Sequence, residues 1–566
     1  MKAVWQDLRY ALRQLRKTPA FTCTAVVILA LGIGGTTAIF SALNPILFEP
    51  LPYPRAGRLL MIWYGAEDGS RIPQAFHTYR ELAARSRSLE TLAVMKPWQP
   101  TLNGSDQPER LDGQQVSAGY FQTLGVLPAL GRDFQPSDDV FHGPPVVILS
   151  NGLWQRRFGK DHTIIGHQVK LDDASYTVIG VMPATFENVL APSAEAWSPL
   201  QYNPGEVAST DTREWGHHLR MVGRLRADVS IGQARSDLAS IARTPTMEFP
   251  RPRWVSLAQG FIVDSLQDDV TRGAKPALLA VFGAVILVLV IACVNVTNLL
   301  LARGAQRQGE FAMRAALGAG PSRLIRQVIT ESLLLAIFGG VLGMCVTQAG
   351  IRLLVMLSPA GLPRINAIRF DATVFAFSFA VTAFIGVLIG LIPALHASRS
   401  DLQNSLQQSS QRTAGRHQRT RSSFVITEVA LALILMVSAG LLLHSLRRLF
   451  AVPPGFDASH VLTMQVQTYG KRYDDDRVCR QFFAQARDAV QQLPGVSQAS
   501  FTSQLPLSGD SDVYGARFED DNPETGYPVY RYSVTPQYFR VLGIPLRRGR
   551  LLDDRDRTGY TSRDSH

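Results

Sequence analysis

No G-x-x-x-x-G-K-[ST] occurs in the 566 residues, so the chain has no P-loop to cradle nucleotide phosphates, and any ATPase working with it must be another polypeptide. No G-x-S-x-G and no Cys/His nucleophile arrangement stands out, which leaves an enzymatic role without its machinery. Cysteine is scarce: of the four, Cys23, Cys293 and Cys345 sit in apolar runs and Cys479 is alone. They read as buried small hydrophobes and one unpaired thiol, not as a disulfide framework. Asp211, Glu214, His217 and His218 lie within eight residues. Adjacent histidines on one element point apart, however, and no second ligand group follows at zinc-like spacing, so the stretch reads as a solvated loop and no metal or other cofactor is expected.

Charge is nearly missing from five long stretches, and that absence organises the chain. The runs 21–43, 276–302, 332–357, 372–396 and 424–445 are each close to the roughly 20 residues that cross a bilayer core. Arg352 and His396 near the ends of two runs, and Glu428 in the last, are the ionisable residues that stand out in them. A soluble core helix is seldom apolar all round for so long. Glu428 lies about one turn from a run's end, within reach of the headgroup layer, and reads as a snorkelled or helix-paired carboxylate. Asn295 and Asn298 are the other polar groups to weigh in the runs.

The net charge of +11 is a topology signal, not a nucleic-acid footprint. Residues 1–20, 303–330 and 397–423 each carry five basic side chains against one acidic, net +4 apiece, and the rest of the chain sums to −1. If all five runs cross, these three segments share one side, and the positive-inside rule makes it the cytoplasm. The N-terminus then starts inside, 44–275 and 446–566 lie outside, and the lipid bilayer is a partner by composition.

Within residues 1–20, Trp5, Leu8, Leu12 and Leu15 share one helical face, as expected of a cytoplasmic amphipathic helix lying at the interface. A signal peptide competes for residues 1–43, but the apolar run is longer than the usual h-region and lacks a clear cleavage site, which favours an uncleaved anchor. Residues 44–275 alternate β-rich stretches (59–64, 145–149, 176–182) with helical ones (78–86, 117–123, 152–158, 231–242), an α+β domain large enough for its own core. The expected class is a polytopic α-helical membrane protein of about five spans with an α+β outer domain. In the short-looped bundle, Gly339/Gly343 and Gly386/Gly390 have the small-xxx-small spacing that lets helices approach closely. Residues 397–423, rich in Ser, Gln and Arg, read as a cytoplasmic basic linker.

Two features concern function. Between the second and third runs, Glu310, Phe311, Ala312, Met313, Arg314, Ala315, Ala316 and Leu317 form about two helical turns ending at Gly318, and Pro321 suits the start of the next helix. A short helix across the mouth of two membrane helices is a handle for a soluble partner; the competing reading is a charged loop that only fixes orientation. Second, the chain repeats itself. Residues 534–550 align without gaps on 116–132 with seven of seventeen positions identical, each copy following a span and a basic segment. The repeated unit is span plus outer domain, with 446–566 a partial second outer domain that lacks a counterpart of 145–179.

Span, outer domain and three spans with E-F-A-M-R-A-A-L-G-A after the second span resemble a MacB/FtsX-type ABC transporter permease. Val147–Ser150, Leu153–Gly159, Ile165-Gly166, Tyr176–Pro183 and Gly223–Leu225 look like the periplasmic core of that family. The tandem arrangement is similar to the duplicated orphan permeases first grouped in acidobacteria, here with the second half cut short, its last residues differing from the first copy. The resemblance implies a bacterial inner-membrane location with periplasmic domains of MacB type. It also implies docking of a separate ABC ATPase subunit on residues 303–331, a homodimer or heterodimer of permeases, and outer domains that move as the ATPase cycles. Three functions fit: efflux or mechanotransmission, a non-transporting scaffold controlling an envelope enzyme, or an inactive copy.

Overall fold

In a computed structural model of the chain, residues 2–65, 69–104, 108–202, 218–249, 251, 257, 260–306, 313, 321–357, 364–398, 412–466, 468, 471–473, 475–508, 513–516, 527–553 and 556 are described. Two compact units result: Met1–Glu49 with Thr271–Ala451, and Pro50–Val270 with Val452–His566.

The chain begins with α1 (Lys2–Lys17) and α2 (Pro19–Leu43), with Pro19 at a first helical position and a π-turn, Asn44–Phe48, prolonging α2. The buried face of α1 is not the one its leucines suggest. Asp7, Ala11 and Leu15 are buried, Leu8 and Leu12 are partly so, and Trp5 is 56% exposed beside Arg9. The small Ala11 lets a neighbouring helix close on the 7/11/15 stripe, which turns Trp5 outward. Helix α2 is apolar all round yet buries mainly small groups, Ala25, Ala30, Gly32, Gly34, Thr36, Thr37, Ala38, Ser41 and Ala42, around Leu29 and Ile33. Thr36 and Thr37 satisfy their hydroxyls on the Gly32 and Ile33 carbonyls.

The outer domain is built on one 13-stranded mixed sheet. Its strands are β1 (Leu59–Gly65), β2 (Arg71–Ile72), β3 (Leu89–Trp98), β4 (Thr101–Asn103), β5 (Glu109–Arg110), β6 (Gly113–Val116), β7 (Leu130–Gly131), β8 (Val146–Leu149), β9 (Gln168–Leu171), β10 (Ala174–Val181), β11 (Ala196–Pro199), β12 (Arg220–Leu225) and β13 (Phe261–Ser265). The path runs β13-β1-β12-β3-β6-β11-β8-β10-β9-β4-β5, with β6–β11 and β8–β10 parallel. Helices α3 (Phe76–Arg85), α4 (Tyr120–Leu124), α5 (Asn151–Phe158), α6 (Ile231–Arg243) and α7 (Leu266–Thr271) accompany it. Both faces of β1 are covered: Leu59 and Met61 join a core with Phe121 and Trp197, and Leu60 and Ile62 join one with Leu82 and Leu238. Burial on both faces is why this strand reads as an unbroken apolar run.

Next come α8 (Lys275–Gln306), α9 (Pro321–Leu357), α10 (Ala372–Ser398) and α11 (Arg412–Ala451). Among the described residues, five segments are long and apolar enough to cross a membrane: Pro19–Phe48, Lys275–Gly304, Ile325–Leu357, Ala372–Leu391 and Val425–Ala451. The basic stretch 397–423 is a linker only in part, because 412–423 belongs to α11. A formed helix extends at little cost into Arg, Gln and Ala, which favour it. The cysteines also differ from expectation. All are free, but among the three in apolar runs only Cys293 is buried, while Cys23 and Cys345 lie on outward helix faces.

The last segment holds α12 (Asp476–Gln491), the hairpin β14 (Val513–Ala516) with β15 (Tyr527–Tyr530), and α13 (Tyr538–Val541).

Candidate functional site

The residues that converge within the membrane unit lie where α8 and α9 frame the handle segment. Of the handle residues singled out in sequence, Glu310, Phe311, Ala312, Arg314, Ala315, Leu317 and Gly318 lie outside the described residues, and Met313 is 67% exposed. The two arms are described in detail. On α8, the Arg303 guanidinium sits 4.7 Å from the Phe21 ring centroid, and its Nη2 donates to the Gln14 carbonyl at 3.1 Å. On α9, Arg326 Nε donates to Asp7 Oδ2 at 2.6 Å. The next residue, Gln327, donates to Glu331 one turn further along at 3.3 Å, both side chains buried. Glu331 was missed in the sequence because the apolar run begins one residue later. The helix itself starts at Pro321 and carries the carboxylate inward.

The α1–α2 corner beside this site is closed by Thr22, whose hydroxyl donates to the Leu15 carbonyl at 2.9 Å and the Thr18 carbonyl at 3.0 Å. Leu8, Leu12 and Leu15 pack with Leu29, Val296, Leu300, Leu334 and Ile385 in one apolar cluster, so corner and arms share a core.

The glycine pairs lie on two different seams. A Cβ on Gly339 would stand 2.6 Å from Leu29 Cβ, and one on Gly343 would stand 3.3 Å from the Ala30 carbonyl oxygen, so this pair faces α2. The facing residue on α2 is Gly34, where a Cβ would meet the Gly343 carbonyl at 2.7 Å, and Thr347 Oγ1 donates to the Gly34 carbonyl at 3.2 Å. Gly386 and Gly390 instead face α9 at Leu333 and Ser332, at 2.8 and 3.0 Å. At the other end of α2, Arg364 is buried and donates to the carbonyls of Pro45 and Glu49, a cation at a helix C-terminus where carbonyls lack partners.

The remaining candidates do not assemble. Asp211, Glu214 and His217 are outside the described residues, and the His218 ring hydrogen-bonds the Tyr202 hydroxyl. Among the described residues no group of three His, Cys, Asp or Glu could hold a metal ion. Glu428 is half-buried on α11, and Asn298 Oδ1 on α8 is buried without a hydrogen-bond partner.

Residues 22–241 match the family of the MacB-like periplasmic core domain, and residues 282–402 that of the FtsX-like permease C-terminal. The macrolide export ATP-binding/permease protein MacB of Burkholderia cenocepacia (strain HI2424) is 25% identical over 291 residues, 50% of this chain and 40% of that protein. The probable syringafactin export ATP-binding/permease protein SyfD of Pseudomonas syringae pv. tomato is 25% identical over 305 residues, covering 52% and 42%. The chain thus spans about two fifths of the length of these curated relatives. The crystal structure of the periplasmic region of MacB from Actinobacillus actinomycetemcomitans aligns with 41% of this chain and 98% of its own, at 14% identity and a TM-score of 0.30. With two successive family matches along it and, among the described residues, five segments long and apolar enough to cross a membrane, the chain belongs to the MacB/FtsX-type ABC transporter permeases.

Proposed function

We propose that this chain is the inner-membrane permease subunit of an ABC-type efflux or mechanotransmission complex, acting on a periplasmic or membrane substrate and driven by a separate ATPase that docks on residues 303–331. The observation that carries this reading is the framing of the handle. Two helices of membrane-spanning length end and begin on either side of residues 307–320, Met313 between them is exposed, and both arms are anchored by buried or half-buried arginines. Two relatives are named ATP-binding/permease proteins, which supports an ATP-driven engine, and these 566 residues carry no P-loop of their own. The positive-inside rule places the handle and the N-terminus in the cytoplasm. Gly34, Gly339, Gly343, Gly386 and Gly390 are, on this reading, the seams along which the helices move as stiff bodies.

A photo-crosslinking amino acid at Met313 in the full-length chain should give a covalent adduct with a P-loop ATPase, identified by mass spectrometry. Deleting 310–318 should abolish association of that ATPase, and Arg314→Glu should weaken it at least tenfold. Adducts with other proteins only, or an ATPase that stays bound after the deletion, would overturn the reading. With the four native cysteines replaced by serine, Met313→Cys should react with a membrane-impermeant maleimide only in permeabilised cells; labelling of intact cells would reverse the orientation.

A further inference from the structure

Each of the two arms of the handle is joined to α1 by an arginine. Asp7 is the only acid in the first twenty residues, in a helix whose other charges are basic, yet it is turned inward and is 8% exposed. Its carboxylate takes the Arg326 Nε–H at the start of α9. Seven residues on, about 10 Å along the helix axis, Gln14 carries one of the last four carbonyls of α1, which have no partner inside the helix. Arg303 at the end of α8 donates to it, and the same guanidinium lies over Phe21 in the first turn of α2. One arm therefore holds the middle of α1, and the other holds the corner where α1 becomes α2.

We infer that α1 is a tie bar across the handle, with Asp7 and Arg326 as positioning residues, so that a load on residues 307–320 reaches α2 as well as the two helices that carry the handle. This rests on the docking reading and adds a route to it. The chain of the outer domain leaves the membrane after α2 and re-enters it at α8. With α1 in place, one displacement moves both of these connections, and α1 adds a polar route at the handle end to the packing and the Thr347–Gly34 hydrogen bond that already couple α9 to α2. Asp7 is buried and Arg326 nearly half exposed, so Asp7→Asn, which leaves no unpaired charge inside, separates a positioning role from a stability role.

A Fab raised against residues 307–320 supplies a load without any ATPase. Hydrogen exchange of the full-length chain in lipid nanodiscs, with and without the Fab, should show exchange in residues 2–17 changed at least threefold by binding. Asp7→Arg and Arg326→Asp should each confine the change to the epitope, and the double swap should restore it. Asp7→Asn, milder for folding, should show a partial loss. Protection confined to the epitope in the unmutated chain, transmission intact in Asp7→Arg, or no rescue by the double swap would overturn the tie bar. None of these outcomes bears on ATPase docking, which the Met313 crosslink tests separately.

Discussion

The turn around Tyr120 and the turn around Tyr538 are made alike almost bond for bond, yet they sit in very different surroundings. Tyr120 N–H donates to Ser117 and Tyr538 N–H to Thr535; Gly125 closes on Gln122 and Gly543 on Arg540; Val126 reaches back to Phe121 and Ile544 to Phe539. Both closing glycines have positive φ, 76° and 61°. The likeness runs past the aligned seventeen residues: Arg132 grips Asp138 as Arg550 grips Asp556, and each aspartate also takes the N–H three residues before it, from Gln135 and Asp553. What differs is the cover. Phe121 is fully buried, with the Trp197, Phe186 and Phe134 rings within about 6 Å, whereas Phe539 is only partly buried. The stretch 116–138, like 534–556, thus suffices to specify a turn and a clasp. The core that makes the turn rigid comes from chain far downstream.

The largest expected difference between the copies is at the glycine before each clasp. A Cβ on Gly131 would lie 2.0 Å from the Ile179 carbonyl oxygen, backbone of a paired strand, at φ 77°; one on Gly549, at φ 82°, would meet nothing within 4 Å. Gly131→Ala should therefore cost about 4 kcal/mol or more, and Gly549→Ala only the left-handed penalty of about 1–2 kcal/mol. The sequence places no tryptophan after residue 451, so tryptophan fluorescence on denaturation follows the first copy and hydrogen exchange across 538–552 the second. Equal losses would mean that the surroundings of the two turns are the same.

Next is the aromatic step. Phe121→Ala should destabilise the first copy by about 3–5 kcal/mol, because four rings lose their shared packing, and Phe539→Ala the second by about 1–2 kcal/mol. The clasps should differ less. Asp138 is nearly inaccessible, and Arg132→Ala leaves it with the Gln135 N–H but without its charged partner, a loss of about 1–3 kcal/mol. Arg550→Ala, at a surface pair, should do less. Burial alone would raise the Asp138 pKa, but the Arg132 and Gln135 hydrogen bonds outweigh it and hold the carboxyl below the ordinary range. Its contribution is thus present at neutral pH and lost on acidification, and Arg132→Ala should blunt that acid sensitivity.

How far the sequence could be read follows the same division between local and distant. The apolar spans, the strands at 59–65, 146–149 and 174–181 and the repeated turn were legible because each is set by a period or a short motif, whereas the other strands of the outer domain were not. Trp197 and Phe186 could not be assigned to Phe121 from sequence, since nothing local marks which of many apolar residues closes a core sixty or more positions away. The same holds at the candidate site: Asp7 and Arg326 are 319 residues apart, and each looks like an ordinary surface charge until the helices are packed. Glycine spacing showed that Gly339 and Gly343 could meet a helix, but not that the helix carries Gly34. Trp5 misled because an exposed tryptophan beside arginines has the same helical signature as a buried one.

The smallest difference between the copies is also chemically the cleanest, because Asp133 in the first corresponds to Leu551 in the second. Burial raises the Asp133 carboxyl from 3.8 to about 6, against the pull of the Phe134 N–H and the Arg132 charge. The native chain then keeps this proton between about pH 4 and pH 6 while the unfolded chain has released it, so this group's contribution to stability falls as pH rises through that window and is flat above it. Asp133→Asn keeps an oxygen for the Phe134 N–H and removes the titration. The variant should match the unmutated chain at pH 4 and exceed it by about 1–2 kcal/mol at pH 7.5, a value reduced from the full linkage because water reaches the carboxyl. Asp139, also raised by burial, is untouched by the substitution and leaves a slope of the same sign in both proteins, so only their difference is diagnostic. Denaturation followed by tryptophan fluorescence at the two pH values gives that difference. Leu551→Asp in the second copy, where the turn lies closer to solvent, should create no comparable slope in the exchange of 538–552, and a slope as steep as that of the first copy would show that the turn, not its cover, shifts the carboxyl.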